Sequence, residues 1–194
     1  MNDNHWDNFY KDFNLIKPSS FAKFCLKNFL KNSTLVDIGC GNGRDSFFFA
    51  NNEFNVICID NCKTAINLIA SANHPNINPI CSKVGDLNFI NIDIAYSRFA
   101  LHAMTEKEED KMLEWIKKAI NSGGYFCIET RSDKEDMPNY HFGADHYRRP
   151  TNFKKIKQKI KNLGFTILFE TEQRDLSPFK DENPLIIRLI CKKD

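Results

Sequence analysis

The stretch VDIGCGNGRDS, residues 36–46, sets three glycines in five positions directly behind an apolar run. Glycine is used where backbone must turn without a Cβ or approach something closely. A dinucleotide fingerprint has the spacing G-x-G-x-x-G. Here Gly39, Gly41 and Gly43 give G-x-G-x-G, and Arg44 stands where the third glycine would be, which is awkward against a pyrophosphate. No Lys-Ser/Thr follows, which excludes a Walker loop. The run before the loop, 34–38, is a buried strand, and 44–52 is a short helix.

The alternation continues along the chain. NVICID (55–60) is a second buried strand followed by a helix over 62–73. INPICSKV (77–84) is a third, with Pro79 confining it to an edge or an irregular position. NIDIAYS (91–97) is the fourth. Thr105 and Glu108 form a T-x-x-E capping box, opening a helix with Met112, Leu113, Ile116, Ala119 and Ile120 on its core face. SGG (122–124) is expected to stop that helix before the strand YFCIE (125–129). A polar stretch over 130–150 leads to a helix with Phe153, Ile156, Ile160 and Leu163 on one side, ended by Gly164. FTILFETEQ and PLIIRLICKK close the chain as an antiparallel pair. Ahead of all this, Pro18, Ser19 and Ser20 open an amphipathic helix, apolar at Ala22, Cys25, Leu26, Phe29 and Leu30 and lysine-bearing at 23, 27 and 31.

Continuous apolar strands alternating with helices mean a mostly parallel sheet covered on both faces. The expected fold is a doubly wound, Rossmann-like α/β sheet, mostly parallel with an antiparallel last strand. One domain spans 1–194, with 1–33 an N-terminal lid and helix, 34–130 a ligand-binding core, and 131–194 an acceptor loop, helix and closing strands.

Composition narrows the function classes. The chain has 194 residues, 42% hydrophobic and 27% charged, with a net charge of +2. That charge implies no global attraction to nucleic acid or membrane, and no apolar run reaches the roughly 18 residues of a bilayer span. The start, MNDNHWDNFYKDF, lacks a signal-peptide pattern. Seven scattered cysteines argue against a disulfide framework and for a reducing compartment, the cytoplasm. Cys58 and Cys62 have no second Cys or His pair nearby, so no metal site is expected. The lysines of KKIKQKIK (154–161) have no interleaved aromatic and read as a solvated helix face.

In doubly wound sheets, ligands bind beyond the carboxyl ends of the strands. Asp60 ends the second strand, where a carboxylate can accept both hydroxyls of a ribose. The loop therefore suits a nucleoside without a phosphate cradle, as in S-adenosyl-L-methionine. LVDIGCGNGRD, followed by VICID and by GD at 85–86, resembles the class I S-adenosylmethionine-dependent methyltransferases over roughly residues 34–130. The resemblance implies that Gly39, Cys40 and Gly41 line the methionine end, and that Asp37 helps to place the loop. It further implies that Asp60 holds the ribose, that Asn61, Asp86 and Leu87 border the adenine, and that Asn42, Arg44 and Ser97 also belong to the cofactor site.

A narrower resemblance, on YSRFALHAM (96–104), ETRSDKED (129–136), DHYRR (145–149), WDNFY and SSFAKF, is to small bacterial methyltransferases of surface (capsular) polysaccharide biosynthesis. It implies that Trp6 and Tyr10 fold over the cofactor, and that the acceptor is a small anionic or nucleotide-activated compound, a sugar or phosphoramidate. O-methylation is expected, because no N-P-P-Y-like tetrapeptide follows the fourth strand. The alternatives are methylation of an unrelated small molecule, or a cofactor-binding module that regulates a partner without catalysis.

His102 and His146 are the candidate general bases. Lysine outnumbers arginine 20 to 7, so arginine is used for something other than solubility. Arg98, Arg131, Arg148 and Arg149, with Tyr147, fall near the ligand edge and are the candidate acceptor contacts, since arginine's planar fork suits oxyanions. Asp133, Glu135 and Asp136 are the nearby carboxylates that could pair with them instead. Arg188 lies within a strand and has no assigned role.

Overall fold

The computed structural model describes residues 17–27, 29, 31–88, 91–134, 148–178 and 182–194. Along the chain these form α1 (Ser20–Leu26), β1 (Thr34–Ile38), α2 (Arg44–Ala50), β2 (Asn55–Asp60), α3 (Lys63–Ser71) and β3 (Ile77–Cys81). They continue as β4 (Ile92–Arg98), α4 (Glu106–Ala119), β5 (Ile120–Arg131), α5 (Phe153–Asn162), β6 (Phe165–Gln173) and β7 (Ile186–Lys193). The strands make one sheet in the order β3-β2-β1-β4-β5-β7-β6. β1 to β5 are mutually parallel, and β7 runs antiparallel between β5 and β6. The doubly wound α/β sheet expected from the alternation is therefore present, with Pro79 on the edge strand β3.

Two apolar layers sandwich the sheet. On one face Val36, Ile38 and Ile128 pack with Met112 and Ile116 of α4 and Ile156 and Ile160 of α5. On the other, Leu35, Ile94 and Tyr96 pack with Phe21 and Cys25 of α1, Phe49 of α2 and Ile69 of α3. Alternation along each strand sends successive side chains to opposite layers, so a strand must be apolar throughout.

The helix starts follow from local chemistry. Ser19 caps α1 by accepting from the Ala22 amide at 2.9 Å. Thr105 and Glu108 make the expected capping box on α4. The α4 stop differs from expectation. The helix ends at Ala119, and Ile120 already belongs to β5, so SGG lies inside the strand rather than ahead of it. The register slips there, from Ile92 opposite Ile120 to Ile94 opposite Tyr125. A Cβ on Gly124 would sit 2.6 Å from the Asp93 carbonyl oxygen, so the glycine serves close backbone approach at a bulge.

The seven cysteines are free thiols. No helix among the described residues is long and apolar enough to cross a membrane.

Candidate active site at the carboxyl edge

The glycine loop leaves the carboxyl end of β1. Gly39 has φ +69°, and a Cβ there would lie 2.7 Å from the Cβ of Ala100, so a side chain is excluded by both conformation and space. Gly43, at φ +80°, caps α2 and lies against Ile69 of α3, which a Cβ would meet at 2.8 Å. Close helix packing thus comes one residue earlier than in the dinucleotide pattern, which leaves position 44 open to arginine.

Asp60 at the end of β2 bolts two loops together. One carboxylate oxygen accepts from the Gly41 amide at 2.9 Å and the other from the Cys62 amide at 2.8 Å. Burial raises its pKa, while these backbone hydrogen bonds oppose the rise. The Asn61 amide opposes the rise as well. Asp37, inside β1, accepts from the Ser46 hydroxyl at 2.6 Å and so ties strand to α2. Its carboxyl is pushed up to about 7, chiefly by burial, with Asp45 and Asp60 adding and Ser46 and Arg98 opposing. Burial also pushes the Cys40 thiol up, Cys58 being its hydrogen-bond neighbour.

The remaining cofactor candidates fall around this loop. Asn61, directly after β2, is exposed, and Asn42 is half-buried. Asp86 ends a short turn, Val84–Asp86, beyond β3 and forms an ion pair with Lys111 of α4. The Leu87 carbonyl accepts from the Trp115 indole at 2.6 Å. Ser97 is fully buried near the end of β4, between Ile38 and Ile128. Arg44 opens α2, and its pKa is lowered by burial and then by the charge of Arg98.

On the other side of β1 the edge is built from side chains. Arg98 ends β4, and its Nε donates to Glu129 of β5 at 2.8 Å. Arg188 of β7 donates to the second Glu129 oxygen at 2.6 Å, and also to Ser20 Oγ at 2.7 Å and the Leu176 carbonyl at 3.0 Å. Glu129 is completely buried, so one carboxylate serves two guanidiniums out of water. Arg131 ends β5 and pairs with Glu182 in the β6–β7 loop. The pKa of Arg148 is lowered by burial and then by the charge of Arg131, with Glu182 opposing.

Arg149 is committed to holding the chain in place. Its amide donates to the His102 carbonyl at 2.7 Å, its Nε to the Met104 carbonyl at 3.1 Å, and its guanidinium pairs with Glu109. It is a clamp on the turn after β4 rather than an open acceptor contact. His102 is buried in that turn, its ring 5.4 Å from that of Phe99. Trp6, Tyr10, His146 and Tyr147 lie outside the described residues.

Glu109, Glu129 and Glu182, the partners of three candidate arginines, come from distant segments and were missed; Asp133 accepts from Asn152 instead, and Glu135 and Asp136 lie outside the described residues. A signal for one was present: a lone arginine inside the apolar run PLIIRLIC requires a buried counter-charge, and the Glu in YFCIE supplies it.

A cradle closed by Gly39, with a carboxylate at the end of the next strand, fits S-adenosylmethionine. The comparisons agree. A family model described as tellurite resistance protein TehB matches residues 2–160. The chain belongs to the TehB family. This is a family of class I S-adenosylmethionine-dependent methyltransferases, and S-adenosylmethionine is accordingly the cofactor. TehB from Haemophilus influenzae superposes with TM-score 0.79 and 18% identity, over 97% of this chain and 66% of that one. A 1,6-didemethyltoxoflavin-N1-methyltransferase from Burkholderia thailandensis, with bound S-adenosylhomocysteine, superposes with TM-score 0.73 and 18% identity, over 89% and 76%. At these identities the structures share the fold. Phosphoethanolamine N-methyltransferase 1 of Zea mays is 25% identical over 145 residues, 69% of this chain. The chain spans about a quarter of that relative's length, 28%.

Proposed function

We propose that this methyltransferase acts on a small acceptor bearing an oxyanion. The observation that supports the reading most is the gathering of guanidiniums beyond β4 and β5. Among the described residues, Arg98 and Arg188 share Glu129, Arg131 pairs with Glu182, and Arg148 lies within reach of both their charges. These arginines stand in a partly water-excluded setting, where arginine forks bind oxyanions well. The family's name connects it with tellurite, and the maize relative's with phosphoethanolamine. Both are small molecules bearing an oxyanion.

In this reading Asp60 binds the ribose hydroxyls, the 39–43 loop lines the methionine end, and Asp86 and Leu87 border the adenine. The sulfonium supplies an already activated methyl group. The chain's work is then in-line placement of the acceptor, with Arg98, Arg131 and Arg148 orienting the anion. Where the oxyanion itself receives the methyl group no general base is needed, whereas an amino group on the same acceptor must first lose its proton. The narrower expectation, O-methylation in surface-polysaccharide synthesis, has no counterpart among the relatives named above, two of which are named as N-methyltransferases. The proposal is therefore made at the level of the acceptor's charge.

The test is release of S-adenosylhomocysteine by the purified protein, offered phosphoethanolamine or tellurite in parallel with ethanolamine. Release with at least one oxyanion-bearing acceptor and none with ethanolamine is expected. Equal turnover of ethanolamine, or no release with either anion, contradicts the reading.

A further inference from the structure

Among the described residues, Glu129 and Glu182 are the carboxylates paired with Arg98, Arg131 and Arg188, and they differ in one decisive respect. Glu129 is wholly buried and held from two sides, so moving it would strand two guanidiniums. The Glu182 side chain is 38% exposed and sits on a loop, while Arg131 opposite it is only 11% exposed. Of the two partners only the carboxylate can regain water on leaving the pair, so the guanidinium stays in place and the glutamate is the one that can exchange.

We propose that Glu182 is an internal competitor for the acceptor's oxyanion. It occupies the Arg131 fork in the free protein and is displaced when an anionic acceptor binds. The inference deepens the oxyanion reading above and rests on it.

The surroundings support this. Arg131 is the last residue of β5, at the edge where such sheets bind ligands. Arg148 lies close enough for the charge of Arg131 to depress its pKa, and next to it the Arg149 clamp fixes the segment against the turn after β4. Glu182 thus holds the Arg131 fork ready for an anion, with the charge of Arg148 nearby. Discrimination follows too: an acceptor must carry a better oxyanion than the glutamate it displaces, which disfavours neutral and weakly charged molecules.

Glu182→Gln keeps the shape and removes the competing charge. Steady-state kinetics with phosphoethanolamine should show acceptor KM falling about 3- to 10-fold, with kcat and the cofactor KM unchanged. Inorganic phosphate, as a competitive inhibitor against the acceptor, should show a matching fall in its inhibition constant. An unchanged or raised acceptor KM overturns the proposal, because a purely structural ion pair would give that result. A lowered KM with an unchanged phosphate inhibition constant overturns it as well, since competition would not then be for the anion. Arg131→Lys separates the two levels of argument. If its acceptor KM equals that of the unsubstituted protein, the oxyanion reading itself fails. If its KM rises while Glu182→Gln has no effect, only the competitor role fails.

Discussion

The two sides of β1 are built by different means. Toward β2 and β3 the edge is made of backbone: glycines at positive φ, loop amides turned toward Asp60, and a carboxylate bolting adjacent loops. Toward β4, β5 and β7 it is made of long charged side chains paired across the fold, Arg98 and Arg188 with Glu129, Arg131 with Glu182, and Arg149 with Glu109. A cofactor common to a whole class can be held by backbone, which sequence drift does not alter. Acceptors differ between relatives, and side chains are what a chain can change without refolding. The first side is therefore expected to govern cofactor affinity and the second acceptor affinity.

The largest effect that bears on this division is expected at Glu129. Glu129→Ala leaves two guanidiniums in a buried site without their counter-charge, at a cost of about 3–5 kcal/mol. Chemical denaturation should show the loss directly. A change of less than about 1 kcal/mol would mean that water reaches the site and that its charges behave as surface ones.

Asp37 tests the cofactor side through pH. Its carboxyl is raised from 3.8 to about 7, so between those values the folded chain holds a proton that the unfolded chain has released. Stability contributed by this group is present below the lower value and is lost as pH rises toward the higher one. Asp37→Asn has no proton to lose and can still accept from Ser46. The stability of this variant relative to the unsubstituted protein should rise between pH 4.5 and 8, by on the order of 2–4 kcal/mol. A difference that stays flat with pH would show that Asp37 titrates normally and that the loop above it is wet.

A smaller effect is expected at Asp60, and on binding. With Asp60 on the ribose as proposed above, Asp60→Ala removes charge-assisted hydrogen bonds worth about 1.5–3 kcal/mol each. Calorimetric titration should show cofactor affinity falling at least about tenfold. Unchanged affinity would break the assignment of this side of the sheet to the cofactor.

The same contrast explains what could be read from the chain. Strand positions and the glycine loop rest on local signals: apolar runs, a glycine triplet, and an acid at a strand end. These survive being read one segment at a time. The position of Gly43 against Ile69 shows the limit, because the missing third glycine made sense only once α3 was seen packing there. SGG misled for a related reason, since its Gly124 answers to Asp93 on the neighbouring strand and not to the helix before it. The arginines were legible as a group near the edge. Apart from the counter-charge that Arg188 demanded, their partners were not, since Arg131 and Glu182 are 51 residues apart and Arg149 and Glu109 are 40 apart. Charge pairs over such separations leave no periodicity or spacing to detect.

The division of labour across β1 is tested most directly by Arg131→Lys, with acceptor and cofactor varied separately in steady-state kinetics. Lysine keeps the charge and loses the two-pronged geometry. Acceptor KM should rise about tenfold, roughly one charge-assisted hydrogen bond, while cofactor affinity stays where it was. A fall in cofactor affinity of the same size, or an acceptor KM that does not move, would contradict the account.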